Sequence, residues 1–157
     1  MNWFVNLLTN PFFITPVAAW LISQVIKTIL YAIEHKQIVW SRLIGDGGIP
    51  SCHSATVASL AFICTLEYGT HSFQCAISLI LAIIVCHDAM GVRQEAGKHA
   101  IVLNRLLRGE QKEHLKALGQ EQLSEHVGHT PAQVFAGVGV GIGVALAMYF
   151  LFFQGVV

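Results

Sequence analysis

Gly47-Gly48-Ile49-Pro50-Ser51-Cys52-His53-Ser54-Ala55 lies between two apolar segments. Two glycines and a proline bend the backbone, and Ser51 is placed to cap a helix that continues in apolar residues to about Tyr68. A helix that starts here presents unpaired N–H groups and a partial positive charge. Such an end can hold a phosphate, with His53 in reach of it. The same residues also make an ordinary capped turn, and a four-residue pattern does not choose between the two.

Composition places the turn in a membrane protein. The chain has 157 residues, is 54% hydrophobic and only 11% charged, where a soluble domain is about 25% charged. Its formal net charge is zero, which points to no nucleic-acid partner. Cys52, Cys64, Cys75 and Cys86 form no CxxC pair, and the last three lie in apolar runs, so no disulfide framework is expected. No basic leader or small-residue cleavage site accompanies the first apolar run, so it reads as a span rather than a secretory signal.

Working outward from the turn, the chain reads as a single all-α membrane domain, 1–157. It is a polytopic helix bundle with about four transmembrane spans, near 12–33, 51–68, 73–91 and 131–153. Residues 1 to 11 form a short amphipathic lead, with Trp3 and Phe4 suited to an interface. Gln24 and Lys27 interrupt the first span on one helix face. The polar-side helix is expected at about 92–118, with Arg93, Gly97, Ala100 and Asn104 in one narrow arc. Thr130 is a good N-cap and Pro131 a good first helical residue for the last span. Gly137, Gly139, Gly141 and Gly143 make two overlapping small-xxx-small pairs there. Such pairs allow close helix contact, including a homo-oligomer through this span.

Four spans put every singled-out polar group at one end of the bundle: the Pro50–His53 turn, His87, Asp88, Arg93 and His129. All nine Lys and Arg fall on that side or in its half of the membrane. The positive-inside rule makes it the cytoplasmic side. Ionisable groups in membrane segments are functional candidates. His53 and His129 each sit beside a helix N-terminus. Asp88 is placed to hold a histidine, to pair with Lys27 or Arg93, or to bind a metal. Arg93 offers a bidentate phosphate contact that Lys27 and Lys98 supplement, and Ser51, Ser54 and Asn104 add donors. These parts suit phosphoryl transfer to a histidine: one histidine attacks, the other protonates the leaving alkoxide, and the cations stabilise the equatorial oxygens.

The blocks Gly47 to Ala55, His87-Asp88-Ala89-Met90-Gly91-Val92-Arg93-Gln94-Glu95-Ala96-Gly97-Lys98, Val102-Leu103-Asn104 and Gly128-His129-Thr130-Pro131 resemble the divergent PAP2 family, also called acid phosphatase/vanadium-dependent haloperoxidase-related. Ala19-Trp20 and Gln24 with Lys27 fit it too. The resemblance implies metal-free hydrolysis of a phosphate monoester through a phosphohistidine, with no cofactor. By it Pro50-Ser51-Cys52-His53 stands for the superfamily's Pro-Ser-Gly-His, which makes His53 the general acid, and His129 takes the nucleophile's place. The sequence departs from the pattern where Gln122-Leu123 replace Ser-Arg and Gln133 replaces the acid after the nucleophile. The Lys-x6-Arg-Pro motif is absent. Asp88 and Arg93 are then candidates for the missing acid and arginine. The expected protein is a bacterial inner-membrane phosphatase facing the cytoplasm, acting on a phospholipid phosphate such as a phosphatidylglycerophosphate- or phosphatidate-like monoester. A lipid-phosphate binding or transport protein without turnover is the first alternative. A metal-dependent phosphohydrolase using Asp88 is the second.

Overall fold

A computed structural model describes residues 3–37, 39, 47–106, 123–124 and 127–153. Among them are the helices α1 (Trp3–Leu8), α2 (Pro11–His35), α3 (Cys52–Tyr68), α4 (Phe73–Met90), α5 (Val92–Leu106) and α6 (Pro131–Met148). A π-helical turn, Tyr149–Phe153, prolongs α6. The polar-side helix expected to reach residue 118 is described to Leu106, and 107–118 lies outside the described residues.

Local chemistry explains where each long helix starts. Asn10 accepts a hydrogen bond from the Phe12 N–H, and Pro11 occupies the first turn of α2. Ser51 caps α3 by accepting from the Ser54 N–H, and Ser72 caps α4 by accepting from the Cys75 N–H. Thr130 and Gln133 form a reciprocal capping box on α6, with Pro131 beside the cap. Pro16 falls early enough in α2 to be accommodated.

The protein is a membrane helix bundle, apolar on the outside and small or polar within. Leu21, Ile29 and Ile33 of α2 and Ile77, Ile80, Ile83 and Ile84 of α4 are exposed. Inside, Thr15, Ala19, Ser23 and Lys27 recur every fourth residue along α2, and all four are buried. Ala19 and Ala55 pack with Val144. This is the arrangement expected where lipid tails remove the hydrophobic drive and close packing holds helices together. By length and apolarity α2, α4 with its continuation through α5, and α6 with its π turn are candidate membrane spans. Helix α3 has 17 residues, about 26 Å at 1.5 Å per residue, and packs against α2, α4 and α6. Its enclosed place buries Ser54 and Ser59, while the hydroxyls of the half-buried Thr56 and Thr65 donate to carbonyls of their own helix, Cys52 and Ala61.

Helix α6 lies so close to α3 that glycine is required at two positions. A Cβ on Gly137 would run into the Ser51 carbonyl, and one on Gly141 into the Ala55 carbonyl, whereas Gly139 and Gly143 face open space. One of the two small-xxx-small pairs is therefore spent inside the chain. Gly141→Ala should cost about 1–3 kcal/mol through overpacking and lower the thermal unfolding midpoint in detergent, while Gly139→Ala leaves it unchanged. Equal midpoints for the two variants would contradict this packing.

Candidate active site

The α3 and α6 N-termini meet at one end of the bundle, and the residues between them form a cleft of about 260 Å³. Backbone bonds tie the pieces. The Ser51 N–H donates to the Gln133 carbonyl at 3.0 Å, joining the first turns of the two helices. The His129 N–H donates to the Ala89 carbonyl at 2.9 Å, joining the approach to α6 to the end of α4. Gly128, with φ of 87°, lies against the backbone of Arg93 and Gln94 so closely that a Cβ would overlap it.

His53, Asp88, Arg93 and His129 all line the cleft, with Gly47, Ala89, Val127 and Gly128. The rings of His53 and His129 have centroids 6.5 Å apart and are tilted by 51°. Both imidazoles thus border the same cleft. Two helix N-termini aimed at the same space favour an anion there.

Gln133 determines which nitrogen of His129 carries the proton. Its side-chain oxygen accepts from the Thr130 N–H at 3.0 Å and lies 3.2 Å from His129 Nδ1. A backbone N–H only donates, so the atom facing it must be the amide oxygen rather than the nitrogen. The same oxygen then makes Nδ1 a donor, and the lone pair of neutral His129 sits on Nε2. The capping box and the histidine tautomer are thus two uses of one side chain.

Asp88 does not reach a histidine through the bond the structure records for it. Its carboxylate accepts from Arg93 Nε at 2.7 Å, both side chains being about half exposed. The chain turns between them at Gly91, whose N–H bonds back to His87 at 2.8 Å. Arg93 is thereby held at the cleft, which it lines.

The other candidates lie around the cleft rather than in it. Lys98 lines a second chamber of about 240 Å³ that shares Gly47, Val127, Gly128 and His129 with the first. Its ammonium pairs with Glu95 at 2.7 Å. Lys27 is buried, with Nζ 3.9 Å from Cys52 Sγ, and the thiol lies 3.8 Å from His53 Nδ1. Ser51 and Ser54 are buried in the α3 cap, Ser54 Oγ donating to Ser51 Oγ at 3.0 Å. Asn104 does not line the cleft; its amide bonds reciprocally to the Leu123 backbone at 2.9 and 3.1 Å. It clasps the segment that leads to His129. His87 is exposed. Among the described residues no three His, Cys, Asp or Glu side chains gather to hold a metal ion.

These features define a class, an integral membrane helix bundle with a paired-histidine cleft at one end. Residues 8–144 match the divergent PAP2 family, and the chain belongs to it. It is 39% identical over 142 residues to an uncharacterized membrane protein, YuiD, of Bacillus subtilis, covering 85% of this chain and 90% of that one. No solved structure matches the chain.

Gln133→Leu should remove both the acceptor on Nδ1 and half of the capping box. The ¹⁵N spectrum of His129 is expected to show the Nδ1–H tautomer in the wild type and a mixture in the variant. A mixture in the wild type would rule out the assigned hydrogen bond.

Proposed function

We propose that the protein is a phosphatase that hydrolyses a phosphate monoester carried by a membrane lipid, phosphatidylglycerophosphate- or phosphatidate-like, through a phosphohistidine. The observation that carries the reading is the pair His53 and His129, 6.5 Å apart across a cleft that Arg93 also lines. Nε2 of His129 attacks phosphorus as the ester P–O bond breaks, and protonated His53 gives its proton to the departing alkoxide. Arg93, held by Asp88, binds the equatorial oxygens as charge builds on them, and the partial positive charge of the helix N-termini beside the cleft adds to its field. Gln133 orients the ring and accepts from Nδ1 throughout. In the second step neutral His53 takes a proton from water, the water oxygen attacks phosphorus, the P–N bond breaks and orthophosphate leaves. Asp88 acts as a positioning residue for Arg93.

A second reading is a lipid-phosphate binder without turnover. It is favoured by the amide, rather than a carboxylate, on His129 Nδ1, since an amide stabilises an imidazolium less well. Saturable binding of a lipid phosphate with no phosphate release would select it.

In detergent with a short-chain lipid phosphate, His53→Ala and His129→Ala should each cut phosphate release by at least about 10²-fold, the usual worth of an acid or nucleophile. Wild-type rates in both purified variants would end the phosphohistidine reading.

The cytoplasmic face is proposed for the site on the four-span reading of the sequence, which gathers the Lys and Arg residues at its end of the bundle. A membrane-impermeant amine reagent should spare Lys98 in intact cells and modify it in inverted vesicles. The reverse pattern would place the site on the other face.

A further inference from the structure

The two histidines of the cleft are met by different chemistry at the same ring atom. Gln133 meets His129 at Nδ1 through an amide oxygen, which only accepts. Cys52 meets His53 at Nδ1 through a thiol, with Sγ 3.8 Å from the nitrogen. A thiol has one proton to give and lone pairs to receive with, so it bonds to an imidazole in any protonation state. The Pro-Ser-Gly-His pattern that this turn resembles has a glycine in place of Cys52, and so no side chain there to touch the ring.

The thiol is set in place by its surroundings. Cys52 is 2% exposed. Lys27 of α2 reaches it with Nζ 3.9 Å from Sγ. An ammonium only donates, so the sulfur receives there and keeps its own proton for another acceptor. Both contacts are long, and sulfur is a weak partner in each role, so they orient the ring more than they stabilise the fold. The backbone around Cys52 is held as well. Ser51, just before it, donates its N–H to the Gln133 carbonyl at 3.0 Å, and Thr56 Oγ1 donates to the Cys52 carbonyl at 2.8 Å. One backbone bond thus ties the residue that holds His129 to the turn that carries His53.

We propose that Cys52 is a positioning residue for His53, and that the contrast between thiol and amide gives the two histidines their separate roles. The inference rests on reading the cleft as a phosphatase site and adds the reason for its asymmetry. Gln133 can meet only an Nδ1 that bears a proton, which keeps the lone pair of neutral His129 on Nε2, as a nucleophile needs. An acid that later turns base passes through more than one form. As an imidazolium, His53 turns Nδ1–H to a sulfur lone pair and holds its second proton on Nε2. After Nε2–H goes to the departing alkoxide, Nδ1–H stays on the sulfur and the lone pair on Nε2 takes the proton of the attacking water. In the resting neutral ring the thiol gives S–H to Nδ1, and the ring proton sits on Nε2. The thiol meets each form with the ring in one place, and its own proton never leaves the sulfur.

Two measurements test this. The first needs no turnover. The S–H stretching band of Cys52 is isolated as the infrared difference between wild-type protein and Cys52→Ser at about pH 8, where an ordinary imidazole is neutral and an ordinary thiol still largely protonated. The same difference is then taken with His53→Ala in both proteins. The band should lie at lower frequency in the wild-type background and rise once Nδ1 is removed. One frequency in both backgrounds overturns the assigned bond. The second measurement is kinetic, in detergent with a short-chain lipid phosphate. Cys52→Ala should lower kcat about 10-fold with KM unchanged, because a mis-set ring slows the chemical step without weakening binding. Cys52→Ser, whose hydroxyl donates and accepts as the thiol does, should recover most of that loss. Wild-type kcat in Cys52→Ala, or a serine variant no better than the alanine one, overturns the positioning role. If the infrared shift is seen while wild-type protein releases no phosphate, the phosphatase reading fails and the Cys52–His53 bond stands. If phosphate is released with no infrared shift, the positioning role fails and the phosphatase stands.

Discussion

The close approach of α6 to the first turns of α3 aligns the two helix ends that border the cleft. It is set by missing atoms. Gly137 and Gly141 let carbonyls of α3 lie where side chains would otherwise be. That contact allows the Ser51 N–H to bond to the Gln133 carbonyl and so aligns the two helix N-termini. His53 lies in the first turn of one helix and His129 directly before the cap of the other, so their juxtaposition follows from a packing contact neither makes. Larger residues at these two glycines would separate the helices and the histidines together.

Polar groups inside the bundle are there at a cost. Thr15 Oγ1, Ser23 Oγ, Gln24 Oε1 and Glu67 Oε1 are buried without a hydrogen-bond partner among the described residues, and such groups cost roughly 1–3 kcal/mol each. The Asp88–Arg93 pair does not offset this, because a half-exposed ion pair contributes about 0–1 kcal/mol. Its consequence is directional: it holds a guanidinium at the cleft. The bundle is stabilised by close backbone packing and by capped helix ends.

The helix signals were legible because they are local. Thr130-Pro131 and the Pro50-Ser51 turn mark helix starts through atoms a few residues apart, and both starts are observed. The arc on α5 was legible through periodicity: Gly97, Ala100 and Asn104 are buried as one face, while Arg93 in the first turn is exposed and meets Asp88 at the cleft. What Asn104 does was not legible. Its donors looked suited to a phosphate, yet they close on Leu123, a backbone 19 residues away. Nothing in either local sequence announces that clasp. The double use of Gln133 was half legible, since its spacing from Thr130 and from His129 indicates both bonds but not that one oxygen makes them.

Hydropathy, capping and motif order are written over short distances, and they specify an integral membrane helix bundle, its helix caps and its family. They also nominate His53, His129, Asp88 and Arg93. How these four meet follows from packing between distant segments. The tertiary structure put the two imidazoles 6.5 Å apart, turned Asp88 to Arg93, gave His129 its Nδ1 proton through Gln133, and brought Lys27 to the Cys52 thiol. Those outcomes depend on how near two helices can come, and that distance is set by glycine contacts between segments more than 80 residues apart in sequence.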